Sequence, residues 1–60
     1  MSNSDWIINI ENAAAEVEKK LGCSAVEFVL HKNGASSIED LSESHYSDVW
    51  DELDFMANEN

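Results

Sequence analysis

The chain is 60 residues long, 43% hydrophobic, with a formal net charge of -10; at that length it forms one small domain able to bury only roughly 60% of its unfolded surface. Its acids are concentrated at one end: residues 35–60 hold eight carboxylates and no Lys or Arg, while Lys19, Lys20 and Lys32 share the first 34 residues with five acids. That balance excludes binding to nucleic-acid phosphates or anionic lipid, which needs clustered cations, and the hydrophobic fraction excludes wholesale disorder.

Residues 1–5 carry no positive side chain before the short apolar group Trp6 to Ile8, which is too short for a signal-peptide core or a membrane span. A cytoplasmic, soluble protein is expected. From Trp6 to Leu21 the apolar residues Ile7, Ile10, Ala14, Val17 and Leu21 recur in steps of three and four, which predicts a helix with one apolar stripe. Ser4 or Ser2 supplies its N-cap, Lys19 and Lys20 complement its negative end, and Gly22 is expected as the left-handed residue that ends it. Cys23 follows, alone in the chain and so unable to form an internal disulfide; it reads as a small buried hydrophobe in a reducing compartment.

Ser24 and Glu27 stand at capping-box spacing ahead of Ala25, Val26, Phe28, Val29 and Leu30, and Asn33-Gly34 closes the segment. Val26 to Leu30 is rich in strand formers. A helix is nevertheless expected, because no second strand is available to pair with it. Ser36 with Glu39 and Ser37 with Asp40 then form overlapping caps around Ile38 and Leu41, predicting one helical turn that places those two side chains on the core. Ser44 is expected to cap a last helix in which Tyr46, Val49, Trp50, Leu53, Met56 and Ala57 share a face, with Phe55 opposite. The expected fold is therefore all-α, a single three-helix domain with a short helical turn before the third helix.

The block Phe28 to Ala35, continuing through Ser37 to Leu41 and on to Tyr46, resembles a stretch in small uncharacterised proteins of bacterial mobile elements, chiefly from Gram-positive gut bacteria. The resemblance covers roughly residues 26–57 and implies a genomic setting without site residues. Tyr46-Ser47-Asp48-Val49-Trp50-Asp51-Glu52-Leu53 is also similar to the acidic transactivation helix of the tumour suppressor that binds a ubiquitin ligase. By that analogy Tyr46, Trp50 and Leu53 would be the three anchors entering a partner's groove.

Catalysis needs an activated group and a second that orients it. Cys23 with His31 or His45 is the sole conceivable nucleophile and base, and a domain this small has little room for a concave pocket, so an enzyme is not expected. His45, Asp48 and Glu52 stand at helical spacing, but no second histidine is placed to complete a shell, and Glu39, Asp40 and Glu43 lack the pattern of a calcium loop. Neither a metal nor another cofactor is expected. The candidate partner-binding residues are Asp48, Asp51, Glu52, Asp54 and Phe55. Two readings stand for the acids: a solvated face, or a surface for a basic protein partner, because an ordinary exposed helix would interleave cations to gain i, i+4 pairs. Phe55 likewise is either wrapped into the core or an exposed anchor.

The expected function is an acidic protein-protein interaction module that regulates or inhibits a basic or nucleic-acid-binding protein, in the sharpest form by imitating the phosphate spacing of DNA. The alternative is a structural oligomer whose charge supplies solubility. Because no disulfide or metal staples so small a core, a homodimer is expected, with the stripe Ile7, Ile10, Ala14, Val17 and Leu21 as its seam.

Overall fold

Ser2 starts the first helix. In the computed structural model, which describes residues 2–58, the Ser2 hydroxyl accepts the Asp5 N–H at 3.3 Å and α1 runs over Asn3–Leu21. Ser4, the other expected cap, lies inside that helix. Gly22 ends α1 by donating to the Glu18 carbonyl at 2.8 Å. It does so at φ 91 and ψ 165, an extended backbone at positive φ and not the left-handed turn expected there. That region is open essentially to glycine alone. The geometry lets Gly22 serve also as the N-cap of α2, Cys23–Lys32.

Two further sequence expectations fail at this junction. Helix α2 begins at Cys23, so Ser24 lies inside the first turn and cannot cap it, and the cap falls to a residue without a side chain. Cys23 is exposed, because the first residue of α2 sits at the outside of the corner between two helices and not beneath it. The strand-like run Val26 to Leu30 is helical, as expected. The end of α2 is a Schellman motif: Gly34 donates to His31 at 3.0 Å and Ala35 to Leu30 at 2.9 Å, with Gly34 at φ 76. Ala35 and Leu30, the apolar pair that accompanies this motif, are both buried.

The connection to the last helix is built from two 3-10 turns. In the first, Ile38–Asp40, the Ser37 hydroxyl accepts the Asp40 N–H at 3.3 Å and the Asp40 carboxylate accepts the Ser36 N–H at 3.1 Å. Ile38 is half-buried and Leu41 buried, so this turn seals one end of the core. The second, Glu43–His45, leads without a break into α3, Tyr46–Asn58. Ser44 therefore sits within the lead-in turn, where its hydroxyl meets Ser42 at 3.5 Å, and does not cap α3 as expected. His45 helps hold the turn by donating from Nδ1 to the Asn33 carbonyl at 3.0 Å, since a carbonyl only accepts.

Three contacts fix the direction of α3. Asn3 donates to Glu43 at 2.7 Å, the rings of Trp6 and Tyr46 lie 6.5 Å apart, and Lys20 donates to the Ala57 carbonyl. Low numbers meet low and high meet high, so α1 and α3 run parallel and pack directly on each other, with α2 returning antiparallel beside them. Helix α1 spans about 28 Å at 1.5 Å per residue, matching the 29 Å long axis of the domain. The described residues are 84% helical and contain no strand. The core joins Ile10, Ala14 and Val17 of α1, Val26, Val29 and Leu30 of α2, and Tyr46, Val49, Leu53 and Ala57 of α3. The expected dimer seam is thus already used: Ile10 and Val17 are fully buried under the chain's own helices. Leu21, the last residue of the stripe, is 54% exposed because it lies past Lys20, whose level is that of Ala57 near the end of α3.

Candidate interaction surface

Helix α3 places its residues on two opposed faces. At about 100° per residue, Asp48, Asp51, Glu52 and Phe55 fall within an arc of about 100°, opposite buried Tyr46, Val49 and Leu53. Asp48 and Asp51 are exposed, Glu52 is half-buried, and Phe55 is 66% exposed. The ring of Phe55 is therefore not wrapped into the core. Asp54 stands apart from these four: it is half-buried on the flank of α3 that faces α1, where its Oδ1 accepts an N–H from Asn58 at 3.1 Å.

The cations missing from residues 35–60 arrive from the other helices. Lys32, at the end of α2, reaches Glu52 at 2.6 Å, with side chains 50% and 29% exposed, a geometry that contributes roughly 0.2–1 kcal/mol. Its ammonium also stands 5.6 Å from the centroid of the Phe28 ring. Phe28 is 60% exposed. One continuous surface therefore runs from Phe28 through the Lys32–Glu52 pair to Phe55, one turn beyond Glu52, with Asp48 and Asp51 beside it. No surface role was expected of Phe28, yet the signal for its exposure is present in the sequence. On a wheel, Val26, Val29 and Leu30 cluster on one side of α2 and Phe28 falls on the other, by the same reasoning that isolated Phe55.

The anchor analogy does not survive the packing. Tyr46 and Leu53 are buried in the domain's own core and Trp50 is half-buried against it, so these three side chains cannot enter a partner's groove while the domain is folded. His45 is turned to Asn33, and among the described residues no group of three His, Cys, Asp or Glu side chains is positioned to hold a metal ion. Among them, too, no helix is long and apolar enough to cross a membrane. Glu59, the eighth acid of the C-terminal segment, lies outside the described residues.

No protein-family model, curated protein or solved structure matches this chain. The surface must be interpreted from its own chemistry: two exposed phenyl rings, one ion pair that crosses between helices, and carboxylates at the edge.

Proposed function

We propose that the chain is a binding module whose outer α3 face docks on a basic protein and thereby regulates it. The observation that carries this reading is Phe55, a large ring held 66% exposed on the same face as Asp48 and Asp51, on a helix whose other aromatic residues are buried (Tyr46) or half-buried (Trp50). An apolar ring among carboxylates complements a surface of Lys or Arg side chains, whose aliphatic stems pack on the ring while their charged ends meet the acids. A DNA-binding protein presents such a surface. The resemblance to mobile-element proteins makes a regulator of that class a reasonable setting.

The test begins with the tagged chain in its own cell extract and with the proteins released only by high salt. With the purified pair, Asp48→Asn and Asp51→Asn lower the association rate, because charge steers the encounter, whereas Phe55→Ala raises the dissociation rate. Asp54→Asn has the smaller effect, since that side chain lies off the face. Full affinity and unchanged salt sensitivity in the Asp48 and Asp51 variants would reduce the acids to a solubilising coat.

A second reading, self-association, is favoured by one observation: Phe28 and Phe55 are both exposed and joined by the Lys32–Glu52 pair. On this reading the seam is that patch and not the buried stripe of α1.

A further inference from the structure

We propose that the groove between α1 and α3, on the flank away from Phe55, binds a guanidinium group. Because Trp6 is level with Tyr46 and Lys20 with Ala57, the parallel helices bring Ala13 close to the level of Trp50 and Glu16 to that of Asp54. Those four side chains line a cavity of about 310 Å³. Ala13 lines it together with Trp50, and a larger residue at that place would take up part of its volume. Trp50 is half-buried, so one side packs on the core while the remainder lines the groove.

The lining selects the ligand by charge and shape. Glu16 and Asp54 bring two carboxylates against the single ammonium of Lys20, which is already engaged by the Ala57 carbonyl. The local balance, two negatives against one positive, attracts a cation and repels phosphate or carboxylate. An indole favours a cation over its face, and guanidinium is the flat, weakly hydrated cation that stacks on a ring while donating in its own plane to carboxylates. Asp54 uses Oδ1 toward Asn58, and an ionised carboxylate has about four acceptor positions, so capacity for such donors remains. The volume lies at the small end of the roughly 300–1,000 Å³ of ligand pockets, which suits one side chain or a small metabolite. This inference does not rest on the outer face: Trp50 and Asp54 point away from the arc of Asp48, Asp51, Glu52 and Phe55.

Two sources can supply the group, an arginine of a protein partner or a free guanidine such as agmatine. The test is titration of the ¹⁵N-labelled full chain with N-acetyl-arginine-methylamide, with agmatine, and with the neutral isostere N-acetyl-citrulline-methylamide. The Trp50 indole N–H is the reporter and the Trp6 indole the internal reference. A saturating shift at Trp50 is expected with both guanidines, with about tenfold weaker binding of the citrulline compound, which lacks the charge. Glu16→Gln and Asp54→Asn should each weaken binding about threefold. Ala13→Leu should abolish it by taking up volume in the groove, and retained binding in Ala13→Leu would overturn the proposal. An equal response to the citrulline compound, or parallel unsaturated drift of both indoles, would do the same. Tighter binding of the capped arginine assigns the group to a partner protein, and tighter binding of agmatine to a free metabolite. Shifts at Asp48, Asp51 and Phe55 without any at Trp50 would sink the groove and leave the outer face standing.

Discussion

Gly22 and Gly34 both have positive φ, and neither would crowd a neighbour if it gained a Cβ. Substitution at either is therefore a question of backbone strain alone. Gly34 is the left-handed residue of a Schellman motif, a conformation Asn also adopts, so Gly34→Asn should be nearly neutral and Gly34→Ala should cost about 1 kcal/mol. Gly22, at φ 91 and ψ 165, occupies a region that Asn does not share, so both Gly22→Ala and Gly22→Asn should cost about 1–3 kcal/mol. Urea unfolding of the four variants checks this, and equal tolerance of Asn at both sites would refute the distinction. A second contrast concerns the large apolar side chains. Leu53 is fully buried and Phe55 is 66% exposed, so Leu53→Ala should remove about 2–5 kcal/mol, most of what so small a core supplies, while Phe55→Ala should change stability by less than about 0.5 kcal/mol. Loss of thermal stability in Phe55→Ala would place the ring in the core. Helical periodicity places Phe55 and Phe28 each opposite its helix's buried residues, a signal that by itself left Phe55 open between core and surface. The exposure of Cys23 was not legible, since it depends on the corner that Gly22 makes.

The three helices were legible as elements because their apolar residues keep a period of three and four, but their beginnings were not. Ser24 and Ser44 have the composition of caps and lie where a local rule puts them. Tertiary geometry moved both boundaries: Gly22 is shared by two helices, and the 3-10 turn Glu43–His45 extends α3 backward past Ser44. Helix α3 also depends on ties that no local pattern reveals. Its C-terminal turn has no basic residue of its own, and Lys20 of α1 supplies the missing cation by donating to the Ala57 carbonyl. A cation at that end of the helix dipole contributes about 0.3–1 kcal/mol. Lys20→Met should therefore leave the overall helix content intact while amide exchange at residues 55–58 quickens a few-fold. Unchanged exchange there would show that the lysine is incidental. Glu52→Gln should cost less than about 1 kcal/mol, because its partner Lys32 is half exposed and screened by solvent.

At the scale of the whole molecule, two facts oppose each other. The radius of gyration is 10.3 Å, close to the roughly 10 Å expected of a compact chain of this length, yet the chain carries a net charge of -10. The core has little surplus with which to offset that self-repulsion, so added salt should raise the thermal midpoint until the charges are screened, with most of the effect complete once the Debye length falls to about 8 Å at 0.15 M. The same repulsion separates the two readings of the Phe28–Phe55 surface. Two copies meeting through it would bring like charges together, Asp48 and Asp51 among them, so self-association should tighten as salt rises. A basic partner on the same surface would be held by opposite charges and released as salt rises. Sedimentation of the chain alone and of its complex, each across a salt series, reads both signs directly. Phe55→Ala should weaken either association, since both readings use the ring, and thus cannot separate them. Asp48→Asn with Asp51→Asn can: the double variant should strengthen a homodimer by removing repulsion and weaken a complex with a basic protein by removing attraction. A chain that stays monomeric at every salt and protein concentration, and loses its partner as salt rises, would leave the binding module as the function and remove the oligomer.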